Sequence, residues 1–136
     1  MFKWRDAYSV NVKVIDEQHK NLFKIGRNLF DILSASGDYY DEIMNILHEL
    51  KEYTIYHFNE EEKIMKEHNY AEFEKHRLEH KFFIEKISEL DDDENIDEEQ
   101  VKVTTEILTF IANWIENHIL KTDQRYSKFF NEKGIY

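Results

Sequence analysis

The feature that most constrains this chain is a pair of ligand-bearing repeats. His57-Phe-Asn-Glu-Glu61 and His76-Arg-Leu-Glu-His80 flank a break at Asn69-Tyr70. Residues four apart on an α-helix lie about 40° apart around its axis, so each pair projects from one side of its helix. Two helices joined by a tight turn run antiparallel and aim both pairs into one space. His19 upstream, and His118 with Asp123 downstream, are placed to complete the cluster. The expectation is a metal site inside a helix bundle.

The rest of the sequence narrows the alternatives. A chain of 136 residues forms one domain, residues 1–136, large enough to bury a core without external staples. It has no cysteine, which excludes disulfides, thiolate sites and Fe–S clusters. It has no proline, and its only glycines are Gly26, Gly37 and Gly134, so few points force a helix to break. Met-Phe-Lys-Trp-Arg-Asp at the start lacks the apolar core of a signal peptide, and no apolar run approaches a membrane span. A soluble cytoplasmic protein with no membrane insertion is expected. The formal charge of −11 argues against nucleic acid as a partner, because a phosphate backbone is repelled. The acidic run Asp91–Glu99 lacks the glycine and alternating oxygen ligands of an EF-hand loop and reads as a solvated connector.

Apolar periodicity predicts an all-α fold: an up-down-up-down four-helix bundle with an extended N-terminal arm and a short C-terminal helix. Residues 1–15 hold Trp4, Tyr8, Val10, Val12, Val14 and Ile15 without a helical repeat, and no second strand is available to pair with them. Helix A is expected from Asp16, an N-cap, to about Ser36, ended by Gly37. Its stripe is Ile15, Leu22, Gly26, Leu29 and Leu33 with Phe23 and Phe30 alongside, and Gly26 is expected to admit a neighbouring helix. Helix B spans about 39–68 and presents Ile43, Leu47, Leu50, Thr54, His57, Glu61, Ile64 and Met65 on one face. Glu60 and Glu62 point away from it as surface charges. Helix C, about 71–90, turns Phe73, His76, His80, Phe83, Ile84 and Ile87 inward. Helix D opens on Asp97-Glu-Glu-Gln100, which resembles a capping box, and carries Thr104, Ile107, Leu108, Ile111, Trp114, Ile115 and His118. Tyr126 to Phe130 forms the short final helix.

The ligands agree in height. His19 precedes the A–B turn by about 17 residues and His57 follows it by about 18, so both lie roughly 26 Å from that turn. Glu61, His76 and His80 match one another to within a turn about the B–C connection. Asp123 is the exception to simple geometry, because five residues carry it about 140° past His118 on an ideal helix. It joins His118 only if the helix ends or distorts near Lys121-Thr122. His48 lies off the inner stripe, and His68 lies on it but about 10 Å beyond Glu61, so both are excluded from the site. Five inward histidines and two inward carboxylates in one layer are hard to explain as packing, since each buried imidazole nitrogen needs a partner.

Seven protein ligands exceed what one tetrahedral zinc accepts, so two ions are implied. Imidazole suits iron, copper, nickel and zinc, and each carboxylate is able to bridge two ions. Ferritin-like di-iron enzymes use four glutamates and two Glu-x-x-His pairs, whereas the inward pattern here is His-x-x-x-Glu and His-x-x-x-His. Fewer anionic ligands stabilise high-valent iron less, which favours reversible two-electron reaction with O2 over cleavage of its bond.

The chain resembles the hemerythrin family and, in overall form, its bacteriohemerythrins. The likeness runs from Trp4 to about Phe130. It rests on Val14-Ile-Asp-Glu-Gln-His19, His57-Phe-Asn-Glu-Glu61 with Met65, His76-x-x-x-His80, and Trp114-Ile-x-x-His118-x-x-x-x-Asp123. The resemblance implies that His76, His80 and His118 hold one iron and that His19 and His57 hold the other. Glu61, Asp123 and an oxo or hydroxo group would bridge the two. It also implies that O2 binds at an open position on the two-histidine iron, in a dry pocket formed by Leu22, Phe58, Trp114, Ile115 and Ile119. The implied function is reversible O2 binding for carriage, storage, scavenging or sensing, by a monomer that is not an enzyme. Sensing would require a separate protein partner. Two other classes compete: a di-iron oxidase, peroxidase or nitric-oxide-reducing enzyme, and an iron-handling or structural zinc protein.

Overall fold

The amphipathic stretches form helices in the expected order. In the computed structural model, α1 spans Lys13–Ser34, α2 Tyr40–Glu67, α3 Phe73–Asp91 and α4 Gln100–Asn117. A π-helical turn, His118–Asp123, then leads into α5, Gln124–Glu132. The structure describes residues 2–35, 37, 39–91 and 100–136, and side chains within these except at 33, 34, 90, 91 and 100–104. The acidic connector past Asp91 and the expected capping box at 97–100 lie outside the described side chains. Helix α1 packs on α2 and α4, and α3 on the same two, which closes the up-down-up-down bundle. No described helix is long and apolar enough to cross a membrane.

Two buried apolar clusters hold the bundle. The larger joins all four long helices through residues such as Leu29, Leu47, Phe83, Ile87, Ile107 and Ile111. Each is fully buried, and removing a side chain of this size from water is worth about 1.5–3 kcal/mol. The smaller cluster contains Val10, Val12, Ile15, Met65, Tyr70, Tyr126 and Phe130, and so ties the N-terminal arm and α5 to the α2–α3 end.

The α2–α3 turn follows from its residues. Asn69 takes a left-handed backbone (φ 57°), which asparagine tolerates better than most residues. Tyr70 N–H donates to Met65 O (2.9 Å) and Asn69 N–H to Lys66 O (3.2 Å). That is a Schellman closure, with Tyr70 and Met65 making its usual apolar contact. It reverses the chain in few residues and keeps Glu61 level with His76.

Four expectations need correction. Helix α1 begins at Lys13 after Val12, so Asp16 is no N-cap. Its carboxylate instead accepts from Ser9 Oγ (2.6 Å) and Val10 N–H (2.9 Å), fastening the arm to the helix. The arm is not wholly extended: Asp6–Tyr8 forms a 3₁₀ turn, and Val14, already helical, is 51% exposed. Phe30 is 43% exposed and lies off the inner stripe. Gly26 admits the ring of Phe2 rather than a helix, since a Cβ there would fall 2.6 Å from Phe2 Cδ1.

The arm is stitched to α5 as well. Gln124 Nε2 donates to Ser9 O (3.0 Å), Ser127 Oγ to Val10 O (2.7 Å) and Asn131 Nδ2 to Asn11 O (3.0 Å). These donors fall on one face of α5 because they are three and four residues apart.

Candidate metal centre

All seven sequence-predicted ligands meet in one layer, and each is at most 4% exposed. His19 comes from α1, His57 and Glu61 from α2, and His76 and His80 from α3. His118 opens the π turn and Asp123 closes it. In a π turn each N–H bonds five residues back instead of four, which brings residues five apart towards one face. That is the distortion the spacing demanded. His118 Nε2 and Asp123 Oδ1 are 2.9 Å apart as a result.

The two carboxylates divide their oxygens between two histidine sets. Glu61 Oε2 lies 3.1 Å from His57 Nε2, while Oε1 lies 2.6 Å from His76 Nε2 and 3.2 Å from His80 Nε2. Asp123 Oδ2 lies 3.2 Å from His19 Nε2, while Oδ1 lies 3.0 Å from His76 Nε2. His19 and His57 approach each other at 3.1 Å through their Nε2 atoms. Two groups whose ligand atoms lie close enough to hold a metal ion result: Glu61, His76, His80, His118 and Asp123, and His19, His57 and Glu61.

The donor atoms fit ions better than one another. Glu61 Oε1, both Asp123 carboxylate oxygens and the Nε2 atoms of His76, His80 and His118 are buried without a hydrogen bond of acceptable geometry. They stand at ion-pair distance but are not directed along one another's N–H or lone-pair axes. A buried polar atom left unpaired costs about 1–3 kcal/mol, so six in one pocket point to cations that all of them face.

Two ionised carboxylates set the electrostatics of the imidazoles around them. Burial opposes charge on His19 and His76, but Glu61 and Asp123 outweigh it and lift them to about 9 and about 10. His118 is also raised, the Asp123 charge overcoming burial. Burial dominates at His57 and lowers it. Glu61 and Asp123 are held below the usual carboxylate range by the histidines despite burial.

A ring of outer contacts orients the imidazoles. The Gln18 amide oxygen lies 2.6 Å from His57 Nδ1, Glu62 Oε2 3.0 Å from His80 Nδ1, and Glu79 Oε2 3.1 Å from His118 Nδ1. Each acceptor holds the proton on Nδ1 and leaves the Nε2 lone pair for the site. Tyr126, fully buried, donates its hydroxyl to Glu61 Oε2 (3.1 Å), and its ring stacks on His76. Glu62 is therefore no ordinary surface charge. None of these four outer residues was identified from the sequence, yet a signal existed. Gln18, Glu62 and Glu79 each sit next to a ligand, about 100° round the helix and facing the neighbouring one.

The five expected pocket residues also gather here. Leu22, Phe58, Ile115 and Ile119 are buried in the larger cluster, with half-buried Trp114 packed against it. Phe58 stacks flat on His80 (3.8 Å between centroids) and Trp114 on His118 (4.1 Å). His48 is exposed and His68 half-buried at the α2–α3 turn, and neither joins the site.

Comparison with known proteins agrees with this geometry. The family model described as the hemerythrin HHE cation binding domain matches residues 10–130. The chain is 39% identical over 128 residues to a bacteriohemerythrin of Clostridium acetobutylicum, spanning 93% of this chain and 98% of that protein. It is 27% identical over 125 residues to a myohemerythrin of Theromyzon tessulatum, spanning 92% and 90%. A wild-type hemerythrin crystal structure superposes with a TM-score of 0.80 at 29% identity, covering 93% of this chain and 95% of that one. Such coverage makes the likeness one of whole domains rather than of a shared motif.

Proposed function

The chain belongs to the hemerythrin family, and we propose that it binds O2 reversibly at a non-haem di-iron centre. His76, His80 and His118 would hold one iron and His19 and His57 the other, with Glu61, Asp123 and an oxo or hydroxo group shared between them. One observation carries this partition: each carboxylate turns one oxygen to each histidine set. Iron held there would supply the redox chemistry that reversible O2 binding needs.

The protein's part is to hold, orient and keep dry. The imidazoles and carboxylates are held in one layer by three helices and the π turn. Leu22, Phe58, Trp114, Ile115 and Ile119 would form the apolar wall of the O2 pocket, keeping water and protons out of the site. Tyr126 keeps its hydroxyl proton on Glu61 Oε2 and limits how that carboxylate can swing.

Acting in the cytoplasm as a monomer, the protein takes O2 as its ligand and is not an enzyme. The test is an anaerobic absorption spectrum before and after air, with metal analysis. Two irons per chain and a coloured form that bleaches under argon are expected. Immediate irreversible oxidation would refute reversible binding, and repeated turnover with a reductant would show an enzyme instead.

A further inference from the structure

The outer ring follows a rule that breaks at one place. Gln18 precedes ligand His19 and serves His57; Glu62 follows ligand Glu61 and serves His80; Glu79 precedes ligand His80 and serves His118. The offset runs −1, +1, −1 because successive helices run in opposite directions. A step of one residue turns about 100° one way on an up helix and the other way on a down helix. The ring thus passes from α1 to α2, α3 and the π turn, each element orienting the next one's imidazole. The fourth offset, +1 from His118, falls on residue 119, where the chain has isoleucine. The histidine it would serve is His19, and His19 Nδ1 is buried without a partner.

The ring is also uneven in charge. Both acceptors behind His80 and His118 are carboxylates, whereas the one behind His57 is a neutral amide and His19 has none. A carboxylate acceptor makes an imidazole a more basic donor to a metal, and outer partners of this kind change metal affinity by about 10–100-fold.

We propose that this outer ring grades the two metal positions. The three-histidine position fills first and holds its ion more tightly, while Gln18 is a positioning residue that keeps the two-histidine position the weaker of the pair. The inference rests on the ligand partition given above. Histidine number alone also favours the first position, so the outer residues must be varied separately.

Metal-free protein is titrated with cobalt(II), whose absorption reports the coordination reached at each step, against a competing chelator. Wild-type protein is expected to bind two ions in steps at least about tenfold apart. Gln18→Glu is expected to tighten the second step about tenfold or more and narrow the gap. Glu79→Gln, at a half-exposed position, is expected to loosen the first step and leave the second alone. Circular dichroism checks that each variant is folded. Two ions bound with one shared affinity, a second step unmoved by Gln18→Glu, or equal loosening of both steps by Glu79→Gln would each overturn the grading. Wild-type protein that binds no metal would overturn the di-iron reading and this inference together.

Discussion

Loading metal into the stripped protein should expel a countable number of protons. With His19 at about 9 and His76 at about 10, both imidazoles are charged at pH 7 in the metal-free chain. A ligand nitrogen must be unprotonated, so each ion displaces at least one proton: His19 yields its proton to one ion and His76 to the other. Below pH 9 the affinity for each ion should rise about tenfold per pH unit, and that for the pair about a hundredfold. The sign for stability runs the opposite way. Both histidines are raised above 6.5, so the stability they lend the metal-free fold is complete below that value and disappears as pH climbs through 9 to 10. Glu61 and Asp123 are depressed, so their contribution is present above the ordinary carboxylate range and fades on acidification. Calorimetric titration at pH 7 in two buffers of different ionisation enthalpy gives the proton count directly. Fewer than two protons released per pair of ions would refute the argument, since the carboxylates would then not be holding both imidazoles charged.

Three further outcomes follow from the packing. Tyr126→Phe removes one buried hydrogen bond to a carboxylate while keeping the ring stack, and should cost about 1.5–3 kcal/mol in urea unfolding of the metal-free protein. Phe58→Ala opens a cavity beside His80, and should cost about 3–5 kcal/mol in the same assay and speed spontaneous oxidation of the oxygenated form, followed by its absorption. Gly26→Ala forces a methyl into the Phe2 ring and should destabilise by about 1–3 kcal/mol. In a Phe2→Ala background the same change should stabilise by up to about 1 kcal/mol, because the helix then gains alanine's propensity without the clash; thermal melts of the four proteins close the cycle.

The fold and the meeting of the seven candidate residues in one layer were legible because both obey period. Apolar stripes spaced at 3.6 residues gave the four helices, and counting from the turns gave the common height of the histidines. Asp123 was legible only as a contradiction, a candidate ligand at the wrong angle, and the π turn brings it beside His118. What escaped was set by groups outside the helix that carries each residue. Asp16 looked like a cap because its type favours that role, but Ser9 and Val10 compete for its carboxylate. Gly26 looked like a helix contact because nothing in its own helix names Phe2 as the visitor. Glu62 looked solvated because its partner, His80, sits on another helix.

The π turn has an effect beyond bringing Asp123 home. An uninterrupted α-helix through these positions would put the faces after Asp123 out of step with those now observed, by about one residue's rotation of 100°. Tyr126, Ser127 and Phe130 would then leave the interior they share with Val10. One widened turn therefore sets the angular phase of everything that follows. The same local irregularity that brings Asp123 beside His118 also decides which side of the last helix clasps the opposite end of the chain.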